Sequence, residues 1–135
     1  MTRIVAGSAK GRTLAVPKSG TRPTSERVRE ALFSRLDHMN VLEGATVLDL
    51  YAGTGALGLE ALSRGGTHAT LVEKASTAAR VASANVRSTG LPARVVTADA
   101  RTYLGARSGE ALAGDIDLVF IDPPYDIAED DMTTV

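Results

Sequence analysis

The sequence predicts an α/β protein whose core is a doubly wound, mostly parallel sheet. Three observations carry that expectation. From Thr46 onward, short apolar runs alternate with stretches of helical character, the pattern of a parallel sheet covered on both faces. The first of these runs leads directly into a glycine-rich turn, Gly53-Thr54-Gly55-Ala56-Leu57-Gly58, where a strand-to-helix junction belongs. Ahead of them, a strongly basic opening segment reads as a β-hairpin followed by a helix.

In chain order, Arg3–Ala6 and Arg12–Val16 are β-prone runs flanking the glycine-bounded loop Gly7-Ser8-Ala9-Lys10-Gly11, hence a hairpin. Beyond Pro17–Pro23, Thr24 or Ser25 supplies an N-cap for a helix. Its apolar positions Val28, Ala31, Leu32 and Leu36 predict one buried face, leaving Arg22, Arg27 and Arg29 for solvent or ligand. The alternation then predicts strands at Val47–Tyr51, Ala69–Glu73, Arg94–Thr97 and Ile116–Ile121. Helices are expected from Ala56 to about Arg64, from about Ser76 to Ser88, and near Ala100–Ala111. No second globular unit fits in 135 residues. A doubly wound sheet ordinarily continues into a second half, so further C-terminal strands are expected beyond those seen here. The alternative is an exposed edge that a partner must cover.

Composition narrows the function classes. The absence of cysteine excludes disulfides, thiolate metal sites and a cysteine nucleophile, and His38 and His68 stand without metal-ligand spacing, so no metal site is expected. Both histidines are expected to be exposed at helix ends or in loops. No apolar run approaches membrane-spanning length and the N-terminus lacks the build of a signal peptide, so a cytoplasmic protein without membrane attachment is expected. The net charge of −1 hides an asymmetry: residues 1–35 carry eight basic groups against Glu26 and Glu30, a balance of +6, while the remainder carries −7. A basic arm on an acidic body suits a reader of phosphate backbones, with Arg3, Lys10, Arg12, Arg22, Arg27 and Arg29 as its contacts.

The glycine turn has the G-x-G-x-x-G spacing of adenosine-cofactor sites, with Glu73 twenty positions after Gly53 to receive ribose hydroxyls. That spacing alone does not separate NAD from other adenosine cofactors. Asp49 does, because a carboxylate just ahead of the turn repels a pyrophosphate and attracts an ammonium. S-adenosylmethionine carries that ammonium, a ribose suited to Glu73, and an adenine whose amino group suits Asp99. Asp99 also reads as a simple helix N-cap.

Phe120-Ile121-Asp122-Pro123-Pro124-Tyr125 closes the last strand with a carboxylate, a rigid diproline and an aromatic ring. The exocyclic amine of a base is a weak nucleophile, so an enzyme must hold its protons and aim its lone pair. Prolines fix the local path so that the Asp122 carboxylate and the Pro123 carbonyl can converge on one amine, and Tyr125 can stack on an extruded base.

With these segments in view, the chain resembles a Rossmann-like class I methyltransferase, and specifically the bacterial RsmD family, which methylates N2 of a guanine in 16S ribosomal RNA. Besides the glycine turn and Asp122–Tyr125, the opening matches in Arg3-Ile4-Val5-Ala6-Gly7, Gly11-Arg12 and Thr21–Phe33, and this opening discriminates best. The resemblance implies an RNA-binding extension over residues 1–40 and an S-adenosylmethionine domain over 41–135. It implies Asp49, Tyr51, Gly53, Gly55, Gly58, Glu73, Lys74, Asp99 and Ala100 around the cofactor. Asp122, Pro123, Pro124 and Tyr125 would form the base site. It further implies a monomer acting on 16S ribosomal RNA within an assembling 30S particle. Rival readings are a DNA adenine-N6 methylase, a protein-glutamine methylase, a nucleotide-dependent oxidoreductase and a noncatalytic RNA-binding module.

Overall fold

The computed structural model describes residues 2–16, 26–106 and 116–123. Two short strands, β1 (Thr2–Arg3) and β2 (Thr13–Leu14), pair antiparallel, with Thr2 opposite Leu14 and Arg3 opposite Thr13. Helix α1 (Glu26–His38) follows. The rest alternates as expected: β3 (Thr46–Asp49), α2 (Ala56–Ser63), β4 (His68–Glu73), α3 (Ser76–Thr89), β5 (Ala93–Thr97), α4 (Ala100–Gly105) and β6 (Leu118–Phe120). The four later strands form one parallel sheet in the order β5-β4-β3-β6. Chain order therefore reverses at β3, and that is where an open α/β sheet leaves a crevice beyond its strand ends.

Alternating side chains of the strands face two apolar clusters. On one face Val47, Ala69, Leu71 and Phe120 pack with Leu57, Leu59, Ala61 and Leu62 of α2, and Ile4, Ala9, Leu14 and Phe33 of the N-terminal elements belong to the same cluster. On the other face Leu48, Leu50 and Val72 pack with Ala100 and Tyr103 around α4. Every residue of α2 is buried, so this eight-residue helix is held by packing on both sides rather than by its own propensity.

The face that α1 buries differs in part from the expectation: Leu32 and Leu36 are half-buried against the core as expected, but the other two positions are not. Val28 is 57% exposed and Ala31 is exposed, whereas Arg29 and Phe33 are fully buried. Phe33 sits with its ring centroid 5.6 Å from that of Phe120, and the Arg64 guanidinium lies 5.2 Å over the Phe33 ring. The helix has rolled to bring Arg29 toward Glu60, the single acid of the apolar helix α2. The two side chains are both 0% exposed and 3.7 Å apart. Arg29 also donates to the Arg3 carbonyl. Glu60 accepts from the amides of Val5 at 2.9 Å and Ala6 at 3.1 Å and from Arg64 Nε at 2.9 Å, and Arg64 reaches on to Asp37 at 2.7 Å.

A second bolt lies one turn along α2. Ser63 accepts from the amides of Ser8 and Ala9 through its carbonyl and hydroxyl, and its Oγ donates to the Ala6 carbonyl at 2.6 Å. Gly7, at φ +91°, passes so close that an added Cβ would fall 1.8 Å from the Ser63 carbonyl oxygen. Only glycine meets both demands there. At the ends of other elements His38 and His68 are both exposed.

Removing Glu60 leaves Arg29 buried without its counter-charge and strands two hairpin amides. We expect Glu60→Ala to lower unfolding free energy by about 3–5 kcal/mol in urea titrations, whereas Arg27→Ala, on the exposed side of the same helix as Arg29, should change it by less than about 0.5 kcal/mol.

Candidate cofactor and amine site

Because β3, β4, β5 and β6 are parallel, their carboxyl ends share one edge of the sheet. Asp49 ends β3, Glu73 ends β4, Asp99 follows β5 and Asp122 follows β6. β3 neighbours both β4 and β6, with Asp49 in register with Leu71 on one side and Phe120 on the other. Four acids well separated in sequence are thus gathered at one rim.

Asp49 is 0% exposed, and neither carboxylate oxygen has a hydrogen-bond partner among the described residues. Burial pushes its pKa up to about 7 from an ordinary 3.8; the nearby backbone amides of Gly58 and Tyr51 oppose the shift, while the charges of Asp122 and Glu73 add to it. An anion buried without a partner is costly, and a cationic group entering the cleft would remove that cost.

The turn that follows has the geometry its glycines anticipate. Gly53 and Gly55 adopt φ +56° and +89°. A Cβ at Gly53 would meet nothing within 4 Å, so its outer side is open to a ligand, while one at Gly58 would fall 2.3 Å from Leu71 Cδ2, so α2 and β4 are in close approach. Glu73 holds the turn from one side: its two oxygens accept from the amides of Gly53 at 2.8 Å and Ala75 at 2.9 Å. Both oxygens keep lone pairs for further donors. Tyr51 is half-buried beside Leu48 and Leu50, Lys74 is exposed, and Ala100 is buried at the start of α4. Asp99 is the N-cap of α4, its Oδ2 accepting from the Thr102 amide at 3.4 Å, so the simpler reading of that residue describes its own contacts.

On the opposite side of β3, Asp122 is exposed and Pro123 half-buried; Pro124 and Tyr125 lie outside the described residues. Of the basic residues expected to face a phosphate backbone, Arg3, Lys10, Arg12 and Arg27 are exposed and Arg22 lies outside the described residues. Arg29 is a correction. Its guanidinium is fully buried against Glu60 and the Arg3 carbonyl, so it serves the junction of the N-terminal elements and α2 rather than a ligand. Arg3, Lys10, Glu26 and Glu30 line a 290 Å³ groove between the hairpin and α1. No group of three metal-ligating side chains occurs, and no helix is long and apolar enough to cross a membrane, among the described residues.

Sequence reasoning did not single out Asn85. It is 2% exposed in α3, and its amide bonds both the N-terminal strand and the glycine turn. Its position continues the buried stripe Ala78, Ala79, Ala82, and a polar residue on an apolar stripe was the available signal.

A parallel sheet of this order, with a glycine turn after its first strand and acids at its strand ends, defines a class I methyltransferase fold. The family model described as Conserved hypothetical protein 95 matches residues 2–134, and the chain belongs to that family, the RsmD family that the sequence resembles. It is 42% identical over 125 residues to Ribosomal RNA small subunit methyltransferase D of Escherichia coli K12, covering 91% of this chain and 60% of that protein. With the protein of the same name from Haemophilus influenzae it shares 36% over 127 residues, covering 91% and 63%. The solved structure of a hypothetical protein from Thermus thermophilus superposes with a TM-score of 0.83 at 38% identity, covering 99% of this chain and 75% of that one. The chain spans about 60% of the length of the first of these relatives.

The Asp49 shift fixes a pH dependence. Between the unfolded pKa near 4 and the folded value of about 7, the folded chain keeps a proton that the unfolded chain has released. This contribution to stability therefore falls as pH rises through that window, and the full penalty applies above it. We expect Asp49→Asn to be more stable than the parent at pH 8, by about 1–4 kcal/mol, and to converge with it near pH 4. Urea unfolding across the range checks both ends.

Proposed function

We propose that this protein transfers a methyl group from S-adenosylmethionine to the exocyclic N2 amine of a guanine in 16S ribosomal RNA, within a small-subunit assembly particle. The observation that carries the reading is the buried, unpartnered Asp49 carboxylate lying at the same strand ends as Asp122. An ammonium suits the first and an amine the second. The names of the two relatives, each a small-subunit ribosomal RNA methyltransferase, support the substrate class.

The residues present fit the cofactor. Asp49 would take its ammonium, Glu73 its ribose hydroxyls, the open side of Gly53 its approach, and Asp99 with Ala100 would lie toward its adenine. When bound, S-adenosylmethionine supplies an electrophilic methyl group on a sulfonium. The protein's own part is positional. Asp122 and the Pro123 carbonyl accept hydrogen bonds from the two amine protons, which turns the nitrogen lone pair out of conjugation and toward the cofactor side of the cleft. Nitrogen becomes far more acidic as it gains a substituent, so proton loss needs no strong dedicated base. Tyr125 would stack on the extruded base. The exposed Arg3, Lys10, Arg12 and Arg27, with Arg22, would neutralise phosphates of the RNA.

Loss of one N2-methylguanosine from small-subunit RNA in cells lacking the gene, mapped by mass spectrometry, is the decisive expected result. An unchanged guanine pattern would overturn the substrate assignment. Calorimetry should give binding of S-adenosylmethionine and none of NAD; the reverse would favour an oxidoreductase. Asp122→Ala should cut turnover by about 100-fold or more with cofactor affinity retained. Arg12→Ala with Arg22→Ala should weaken RNA binding and lower the slope of its salt dependence by about 2, with cofactor affinity unmoved.

A further inference from the structure

One fully buried side chain touches both halves of the proposed machinery. Asn85 Oδ1 accepts from the Ala15 amide at 2.8 Å, while its Nδ2 donates to the Ala15 carbonyl at 3.1 Å and to the Thr54 carbonyl at 2.9 Å. The orientation of the amide is fixed, since exchanging oxygen and nitrogen would set like against like at all three partners. Ala15 lies one residue beyond β2, on the path into the basic segment that contains Arg22. Thr54 is the central residue of the glycine turn, whose Gly53 amide is held from the other side by Glu73.

Packing alone would place an apolar residue here. Ala82, one turn earlier in α3, faces the turn closely enough that a Cβ on Gly55 would stand 3.8 Å from its own. A leucine of similar size would fill the position of Asn85 but leave the Ala15 amide and the buried Thr54 carbonyl without partners. A buried amide with three bonds met adds direction, because it fixes where two backbones lie relative to each other.

We infer that Asn85 is a positioning residue that couples the basic N-terminal arm to the cofactor turn, so that RNA held by the arm and S-adenosylmethionine held by the turn each strengthen binding of the other. The coupling rests on the reading under Proposed function, but the mechanical link beneath it does not. Linkage requires the effect to be equal in both directions.

Two variants of the full chain cut the link at different places. Asn85→Leu removes all three bonds, and Ala15→Pro removes only the donor on the arm side. In hydrogen exchange without any ligand, each should speed exchange at the Gly53 and Gly55 amides by about tenfold, with the central amides of β3 and β4 unmoved. The double variant should go no further than Asn85→Leu alone, since both act on one connection. With a small-subunit ribosomal RNA transcript present, parent affinity for S-adenosylmethionine should rise about fivefold, and both variants should lose that rise.

If Ala15→Pro leaves turn exchange at the parent rate, or if all amides accelerate together, the link is overturned and Asn85 is only structural. A parent affinity indifferent to the transcript, with both ligands bound, overturns the coupling. Turn exchange that responds as expected in a protein that binds no S-adenosylmethionine would keep the link and overturn the methyl-transfer reading instead.

Discussion

The Glu60 carboxylate is the constraint on which the arrangement of this chain depends. It sits at zero exposure inside a helix that is apolar but for Ser63, and its charge is met from three directions: the amides of Val5 and Ala6, the guanidinium of Arg64 in the next turn, and Arg29 from α1. The bonds from the two amides and Arg64 are charge-assisted and stronger than neutral ones, and they with the 3.7 Å Arg29 ion pair offset the cost of burying the carboxylate. Their effect is to fix the hairpin, α1 and α2 in one register. Since α2 begins at the end of the glycine turn, the same carboxylate ties the hairpin to the helix that follows that turn.

A second buried acid has the opposite character. Asp49 has no well-formed hydrogen bond among the described residues, the amides of Gly58 and Tyr51 only partly offset its burial, and its ionisation opposes folding, an arrangement stable only because the surrounding core over-determines it. Glu60 and Asp49 lie on neighbouring elements, α2 and β3, and share the carboxylate group and the degree of burial. One is met by donors and the other opposes folding when ionised. The difference is geometric: α2 turns Glu60 toward the amides of Val5 and Ala6 and the Arg64 guanidinium, while Asp49 ends β3, the strand at which chain order reverses, with no hydrogen-bond partner among the described residues.

The glycine turn lies between these two requirements. Glu73 holds its Gly53 amide and Asn85 its Thr54 carbonyl, so both sides of a segment with two positive-φ glycines are pinned by side chains from different elements. Such a turn presents its open face at Gly53 without the entropy cost of ordering it on binding.

Much of this was determined by the sequence alone. Strand–helix alternation from Thr46, the glycines needing positive φ and the acids at strand ends are all local signals, because apolar period and backbone sterics act within a few residues. The exposed arginines and lysine of the hairpin were legible for the same reason. Which face α1 buries was not. Leu32 and Leu36 do pack against the core, but Val28 and Ala31 of the same stripe are exposed while Arg29 and Phe33 are buried, and the partner that draws Arg29 inward, Glu60, lies thirty-one residues away. Asn85 breaks the apolar stripe of α3, but its partners Ala15 and Thr54 lie 70 and 31 positions away, so its role was hidden likewise. Tertiary structure decided these because a buried polar group is defined by what it meets across the fold, and periodicity along one element carries no record of that.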